Sequence, residues 1–376
     1  MHGDQPLGEH FLAFAKTVER EGATTYPDIC RAVADNDAVL ALLDGAPLLQ
    51  RRPVLLLAAV HFLLLSGDPH PLGAFYDTVR SMTGRPGPTP ADGALPDTFV
   101  NFCATHRTEL ERLVTTRRTQ TNEVGRCSAL LPGLCSIALG YGGDDPLALL
   151  DLGTSAGLNL LFDDYGYTYR DVDGDVRRAG APDASVIIEC AARNDLSRLP
   201  DLHRPTLAAR VGMDLSPLDP RVEDDARWLL ACQWPDNPPR FDRLRTALAT
   251  ARASTHFPQL VRGDILSDLR SVTDAIEGDG PLVVFHSWVA SYLTEDEQRS
   301  LARQVASLGA GRPVHHLYCE SPYETPGLPT PPSPVPRQGP DLATALVHVP
   351  PGGEPVRLAD THPHGTWIRW WPSSPA

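Results

Sequence analysis

The chain has 376 residues, 42% of them hydrophobic, and a formal net charge of −14. That is enough sequence for one large or two ordinary domains with a real core, and the negative field disfavours nucleic acid or an anionic membrane surface as main partner. The start, MHGDQPLGEH, lacks a basic and apolar leader, and seven scattered cysteines form no C-x-x-C pair, so a cytoplasmic protein with reduced thiols is expected.

Residues 1–130 read as an all-helical domain, a lid or substrate platform. Phe11, Leu12, Ala15 and Val18 fall on one face at helical spacing, as do Ile29, Val33, Val39 and Leu42. The apolar run Val54 to Leu65 contains His61 and is shorter than the ~20 residues of a spanning helix, so it predicts a buried helix and no membrane partner. After a Pro/Gly connection the pattern resumes as one long helix from Thr98, broken near Thr119 to Asn122.

Residues 131–376 follow an α/β grammar, with short apolar strands alternating with amphipathic segments. Strands are expected in LALLDLG, ARVGMD (ending at Asp214), PQLVRGD (ending near Asp264), GPLVVFHSW and RPVHHLYCE. Thr294 and Glu297 form a capping box at the start of TEDEQRSLARQVASLG. TALVHVPP and TWIRWW predict two antiparallel closing strands. Residues 164–205 interrupt the order, with a hairpin turning at Asp173-Gly174 and a further strand in ASVIIECAARN, and this insertion is expected to leave the sheet and return to it. The proline-rich stretch at 323–341 excludes helix and central strand, so a loop or flap over a sheet edge is expected.

The stretch DLGTSAGLN, Asp151 to Asn159, lies between the first strand and a predicted helix. Two chemistries fit it. G-T-S-A-G matches the elbow of an α/β-hydrolase, with Ser155 as nucleophile and Asp264 followed by His348 or His362 as partners, but no strand or H-G-G-G loop precedes it. As a cofactor loop, Asp151 fixes the backbone, the small residues admit the ligand and a helix amino terminus offers amide donors. Asp214, ending the next strand, would then take the ribose hydroxyls, and Asp264, ending the third, the adenine amino group. G-x-G-x-x-G and G-K-[ST] are absent, which argues against a dinucleotide loop and a P-loop.

With these motifs in order, Leu147 to Trp371 resembles a class I S-adenosylmethionine-dependent methyltransferase, including the closing antiparallel hairpin of that Rossmann-like, mostly parallel sheet. Longer stretches, TQTNEVGRCSALLPGL, DLGTSAGLNLLFDDYGYTY, GMDLSPLD and HPHGTW, resemble an uncharacterised bacterial family, number 2332 among the domains of unknown function, over nearly the whole chain. The first resemblance implies S-adenosylmethionine as cofactor and a small-molecule acceptor. The cofactor residues would be Asp151, Gly153, Thr154, Ser155, Gly157 and Asn159 of the loop, Asp214 with Leu215, Asp264 with Ile265, and Ser287. The chain departs from the pattern where Ser155 replaces the middle glycine and where the insertion separates Gly157 from Asp214.

His286, at the carboxyl end of the fourth strand, is the candidate general base, its alternative role being a hydrogen bond to a neighbouring loop. Trp288 and Tyr292 are candidates to pack on adenine or acceptor, or in the core. Asn122, Glu123 and Arg126 precede the sheet, with Asn122 and Arg126 on one helical face; they would hold the cofactor's methionine tail or an acceptor, or form an ordinary salt bridge. Tyr165, Tyr167 and Tyr169 share one side of the hairpin, either as an acceptor pocket or as cross-strand packing. His315-His316 and the pair His362, His364 lack a third ligand, so no metal is expected. Aminocarboxypropyl transfer, cyclisation and a non-catalytic nucleotide-binding module stay open beside methyl transfer, as does oligomeric state.

Overall fold

A computed structural model describes residues 6–142, 145–309, 311–335 and 343–371. Two compact units divide the chain, residues 1–121 with 219–245, and residues 122–218 with 246–376.

The first unit is helical, with α1 (Leu7–Arg20), α2 (Thr25–Ala34), α3 (Asp37–Leu40), α4 (Pro53–Leu65), α5 (Asp77–Thr83), α6 (Leu95–Thr105) and α7 (Arg107–Thr116). On α1 the stripe Phe11, Ala15 and Val18 is buried, while Leu12, expected on that face, is exposed. The helix expected from Thr98 is two helices meeting at His106, and it ends at Thr116; residues 117–123 are not helical. Helix α4 is apolar all round and buried, as a helix without a polar face must be. Its one polar member, His61, is accommodated by hydrogen bonds from Nδ1 to the Ala231 carbonyl (3.1 Å) and between Nε2 and Thr78 Oγ1 (2.8 Å). Among the described residues no helix is long and apolar enough to cross a membrane.

The boundary drawn at residue 130 from sequence differs from the observed one. Helix α8 (Cys127–Leu139) belongs to the sheet unit, and α9 (Glu223–Ala231), far along the chain, to the helical unit. The helical unit needs α9 because it carries the carbonyl that satisfies His61, an ion pair from Asp225 to Arg117 (2.6 Å) and a Trp228 indole N–H donated to the Arg118 carbonyl (2.8 Å).

The second unit is built on one sheet of eleven strands, β1 (Leu147–Leu152), β2 (Gly166–Arg170), β3 (Val176–Gly180), β4 (Ile187–Ala192), β5 (Leu207–Asp214), β6 (Gln259–Arg262), β7 (Leu282–Ser287), β8 (Val314–Glu320), β9 (Thr344–Val349), β10 (Val356–Thr361) and β11 (Trp367–Trp370). Their order is β3-β2-β4-β11-β10-β9-β8-β7-β1-β5-β6. Six of the ten neighbouring pairs are parallel, so the molecule is α/β with a mostly parallel sheet. Helix α10 (Pro238–Ala253) follows α9; α11 (Leu269–Asp274) and α12 (Glu295–Ala306) pack Leu269, Leu301 and Val305 on Leu150, Val211 and Val284 of the central strands. The capping box of α12 is present, Thr294 with Glu297.

Three features of the sheet depart from the sequence reading. The closing element is not a two-stranded hairpin but a meander, because β10 intervenes between β9 and β11. Its charged residues, Arg357 and Asp360, hide it from an apolar pattern, and they pair with each other. The insertion does not leave the sheet: β2, β3 and β4 join the opposite end through a parallel β4–β11 pairing. The proline-rich segment lies over interior strands rather than an edge. Tyr318 Oη donates to the Pro329 carbonyl (2.5 Å), Arg357 to that of Pro331 (2.8 Å) and Ser333 to Asp360 (2.7 Å). Residues 336–341 of the expected flap lie outside the described residues.

Candidate functional site

Strand order reverses at β1, which has β5 and β6 on one side and β7 and β8 on the other. In open parallel sheets this is where the loops at the carboxyl ends diverge and leave a crevice. Register places Asp151 beside Gly212 of β5 and Phe285 of β7, so the loops after β1, β5 and β7 emerge together.

The chain leaves β1 with positive φ at Gly153 (70°), Ser155 (56°) and Gly157 (72°). A Cβ on Gly153 would lie 2.3 Å from Val289 Cγ2 of the loop after β7, so this position requires glycine for its backbone and for its neighbour. The non-glycine Ser155 costs about 1–3 kcal/mol in that conformation, strain typical of functional turns. The Met213 carbonyl accepts from Gly153 N (2.8 Å) and Thr154 N (3.2 Å), and Asp214 Oδ2 accepts from Ser155 N (2.9 Å). Asn122 donates Nδ2 to the Thr154 carbonyl (3.1 Å) and accepts Leu158 N (3.2 Å). The expected helix amino terminus is absent: Leu158–Asp164 is a 3-10 segment, broken at Leu161. Most of the loop's amides therefore face protein acceptors.

Asp151 is buried and accepts the Thr154 hydroxyl (2.9 Å). Burial pushes its pKa up to about 8; the Asp214 carboxylate adds to this, and the Thr154 hydrogen bond and Arg126 oppose it. Between pH 4 and 8 the folded carboxyl keeps a proton that the unfolded one loses, so stability falls as pH rises, at about 1.4 kcal/mol per pH unit. Asp151→Asn keeps an acceptor for Thr154 without an ionisable group. Its stability relative to wild type, measured by urea unfolding, is expected to improve by roughly 2 kcal/mol between pH 6.5 and 8; an unchanged difference would mean that Asp151 is already ionised in the fold.

The loop after β7 carries the second strained residue, Trp288, at φ 58°. Glu320, at the end of β8, braces it: Oε1 accepts from Val289 N (3.0 Å), Ala290 N (3.2 Å) and His286 Nδ1 (2.7 Å). His286 is fully buried, its Nε2 lies 3.0 Å from His316 Nε2, and its ring stacks on Tyr318. Burial, with His286 and His348 nearby, holds His316 well below the usual histidine range, so it stays neutral. His286 Nδ1 donates to the Glu320 carboxylate, and a single proton joins its Nε2 to that of His316. Both nitrogens of His286 are thus engaged inside the protein. The expectation that it points into the crevice as a base is not met, because the residue paired with it in β8, Tyr318, and the Glu320 carboxylate hold it between strands. Glu320 went unnoticed in sequence; the available signal was an acid ending a buried strand, as at Asp214.

Arg126 reaches the same loop. Its Nη1 donates to the Ser287 carbonyl (3.1 Å), its Nε to that of Pro363 (2.9 Å), and its guanidinium lies 5.9 Å from the Trp288 ring centre. Asn122 and Arg126 do not share a helical face, since Asn122 precedes a 3-10 turn (Val124–Arg126); one holds the loop after β1 and the other the loop after β7. Glu123 caps that turn through Gly125 N (3.0 Å) and faces His364 Nδ1 at 3.5 Å. Gly365 completes the contact, since a Cβ there would lie 1.8 Å from the Gly125 carbonyl oxygen. The TNEVGR and HPHGTW stretches, distant in sequence, thus form one wall.

The other expected residues divide. Asp214 spends Oδ1 on Ser216 N (2.8 Å) and Oδ2 on Ser155 N, which leaves further lone pairs on each oxygen. Asp264 accepts Leu266 N (2.7 Å) within its own turn. Leu215 and Tyr292 are exposed beside the crevice loops, whereas Ile265 packs on the core. Asn159 turns inward, toward the Cys127 thiol (3.4 Å). The tyrosines are structural: Tyr165, Tyr167 and Tyr169 are buried and donate to the carbonyls of Leu158, Phe162 and Ser128. Among the described residues no group of three or more His, Cys, Asp or Glu could hold a metal ion.

A family model described as an uncharacterized protein conserved in bacteria, domain of unknown function 2332, matches residues 8–370. The chain belongs to this family. No curated protein matches the chain. In this family member the four stretches singled out from sequence do meet: TNEVGR, the glycine loop, GMDLSP and HPHGTW all border the carboxyl ends of β1, β5 and β7.

Proposed function

We propose that the chain is an S-adenosylmethionine-dependent transferase that binds its cofactor at the loops after β1, β5 and β7 and transfers a methyl group to a small-molecule acceptor. The observation that carries this reading is the Asp214–Ser155 hydrogen bond, which draws an acid ending the second parallel strand onto a glycine loop most of whose other amides face protein acceptors. A pyrophosphate needs free amide donors and repels carboxylates. The neighbourhood instead contains the acids Asp214 and Asp264, which suits a ligand with a sulfonium, an ammonium and a ribose diol. The five parallel strands in the order β6-β5-β1-β7-β8 agree with a Rossmann-like methyltransferase sheet, while the meander that follows does not copy the expected hairpin.

S-adenosylmethionine, when bound, supplies a methyl group on an activated sulfur. The protein's part is then alignment, worth roughly 7 to 11 kcal/mol in favourable cases. Asp214 would orient the ribose, and the close approach at Gly153 would fix the loops after β1 and β7 against each other. His286 and Glu320 act as positioning residues that hold the second loop.

In a thermal-shift panel, S-adenosylmethionine and S-adenosylhomocysteine at ~100 times their dissociation constants are expected to add about 2.7 kcal/mol, several degrees of Tm, with no response to NAD. Asp214→Asn keeps one acceptor for the loop but removes the charge, and should lose the response. No shift with either adenosyl ligand, or an undiminished shift in the variant, would sink the reading. Ser155 has one feature of a nucleophile elbow, positive φ with a buried hydroxyl lacking a partner among the described residues. Yet of the two histidines expected as its partner, His348 and His362, the first is held by His315. Stoichiometric fluorophosphonate labelling that disappears in Ser155→Ala would replace the transferase with a hydrolase.

A further inference from the structure

We infer that Gln298 is a positioning residue that joins the loops after β7 and β8, so that residues 321–328 belong to the ligand-binding edge of the crevice together with 288–293. Gln298 stands near the start of α12 and is buried. The two hydrogens of its Nε2 are shared among the carbonyls of Ala290 (3.0 Å) and Leu293 (3.1 Å) in the loop after β7 and of Glu324 (3.1 Å) in the loop after β8. Its Oε1 accepts from Gly327 N (2.9 Å) in that second loop. The partners fix which end of the amide is which, since carbonyls only accept and a backbone N–H only donates. A carboxylate at this position would face three carbonyls with no hydrogen to give them.

The hub is itself anchored, because Leu301 and Val305 of α12 pack on the central strands. An apolar contact links the loops a second time: Ala290 of the first and Leu328 of the second lie in one buried cluster with Tyr318, Ala345 and Val347. The loop after β8 is a compact turn. The Ser321 carbonyl accepts Thr325 N (3.0 Å) and the Thr325 hydroxyl (2.9 Å), and Leu328 N donates to the Thr325 carbonyl (3.1 Å). Gly327 runs against α12, where a Cβ would lie 2.3 Å from the Glu295 carbonyl oxygen. Glu320 grips the first loop by the N–H groups of Val289 and Ala290, and Gln298 grips it by the carbonyls of Ala290 and Leu293. The segment after the strained Trp288 is thus held from two sides, and the second loop shares one of the two grips. A ligand that fixes the loop after β7 also fixes the loop after β8, a consequence that rests on the crevice being the adenosyl site.

The test is hydrogen exchange of the full chain, without ligand and with S-adenosylhomocysteine. Gln298→Met keeps the length and removes donors and acceptor. Without ligand it should speed exchange about tenfold in both 288–293 and 322–328, as expected for a lost buried hydrogen bond, while residues 301–306 of α12 stay as protected as in wild type. Gly327→Ala, which pushes on the second loop alone, should speed 288–293 as well as 322–328. Acceleration confined to 322–328 in Gly327→Ala would overturn the coupling. So would equal acceleration through 301–306 in Gln298→Met, which marks a general loss of packing. With S-adenosylhomocysteine the wild type should gain protection in both segments, and calorimetry well below the melting temperature should show about tenfold weaker binding to Gln298→Met. Protection of 288–293 alone, or equal affinity in the variant, would overturn the extension of the site. No response of the wild type to this ligand would refute the adenosyl reading instead, and the ligand-free exchange still decides the coupling.

Discussion

Acidification from pH 7 to 4 is expected to unfold the protein, through histidines that the fold buries in neutral form. Burial lowers the pKa of His61, His315 and His348 from 6.5 to about 4, and that of His316 further. His315 Nε2 contacts Tyr141 Oη (2.8 Å) and its Nδ1 contacts His348 Nε2 (2.8 Å), a nitrogen–nitrogen contact in which only one of the two can carry a proton, while His61 Nε2 contacts Thr78 Oγ1 (2.8 Å). Below pH 6.5 the unfolded chain takes up protons that the native state refuses, so stability is lost as pH falls. At pH 4 the loss is about 3 kcal/mol per histidine. Asp151 shifts the opposite way, its contribution improving as pH falls toward 4, and offsets part of this. The remainder still rivals the roughly 5–15 kcal/mol of a whole domain. Urea unfolding at pH 7, 5.5 and 4.5 should give steadily lower midpoints. A flat profile would mean that at least some of these rings are charged in the fold.

Glu320→Ala is expected to cost about 3–5 kcal/mol, the penalty of stranding partners of a buried charge. The carboxylate accepts three donors through one oxygen, and alanine would leave His286 Nδ1, Val289 N and Ala290 N without an acceptor in a dry interior. Trp288 would lose the brace that keeps it at positive φ, so the adenosyl-ligand response should fall too. Glu320→Gln retains an acceptor and should cost less than half as much. Chemical denaturation of the three proteins decides the matter: a cost below about 1 kcal/mol for alanine would show that water or a rearranged loop replaces the carboxylate.

The Asp151–Asn159 stretch was legible as a strand-to-turn signal because β1 is an unbroken apolar run and glycine marks left-handed backbone. The helix expected after it was not formed. Nothing local in LNLLFDD announces a 3-10 segment; it is Asn122, from a separate stretch, that takes the amide a helix would have left open. Asp214 and the capping box of α12 followed from short-range rules and stand where those rules put them. His286 shows the opposite case. Its place at a strand end was readable, but its orientation depended on Glu320 and His316, brought beside it by the β7–β8 pairing.

Sequence by itself determined the period of most elements, the α/β alternation after Leu147, the glycine turn and the acids ending successive strands, because all of these depend on neighbours within a few residues. Only tertiary structure decided that residues 219–245 complete the helical unit, that the insertion extends the far end of the sheet, and that TNEVGR and HPHGTW share a wall. Those outcomes rest on hydrogen bonds, ion pairs and close backbone approaches between residues up to 237 positions apart, as between Arg126 and Pro363. Burial of charge works the same way: whether Asp151 holds its proton is set by what surrounds it, and no spacing rule carries that information.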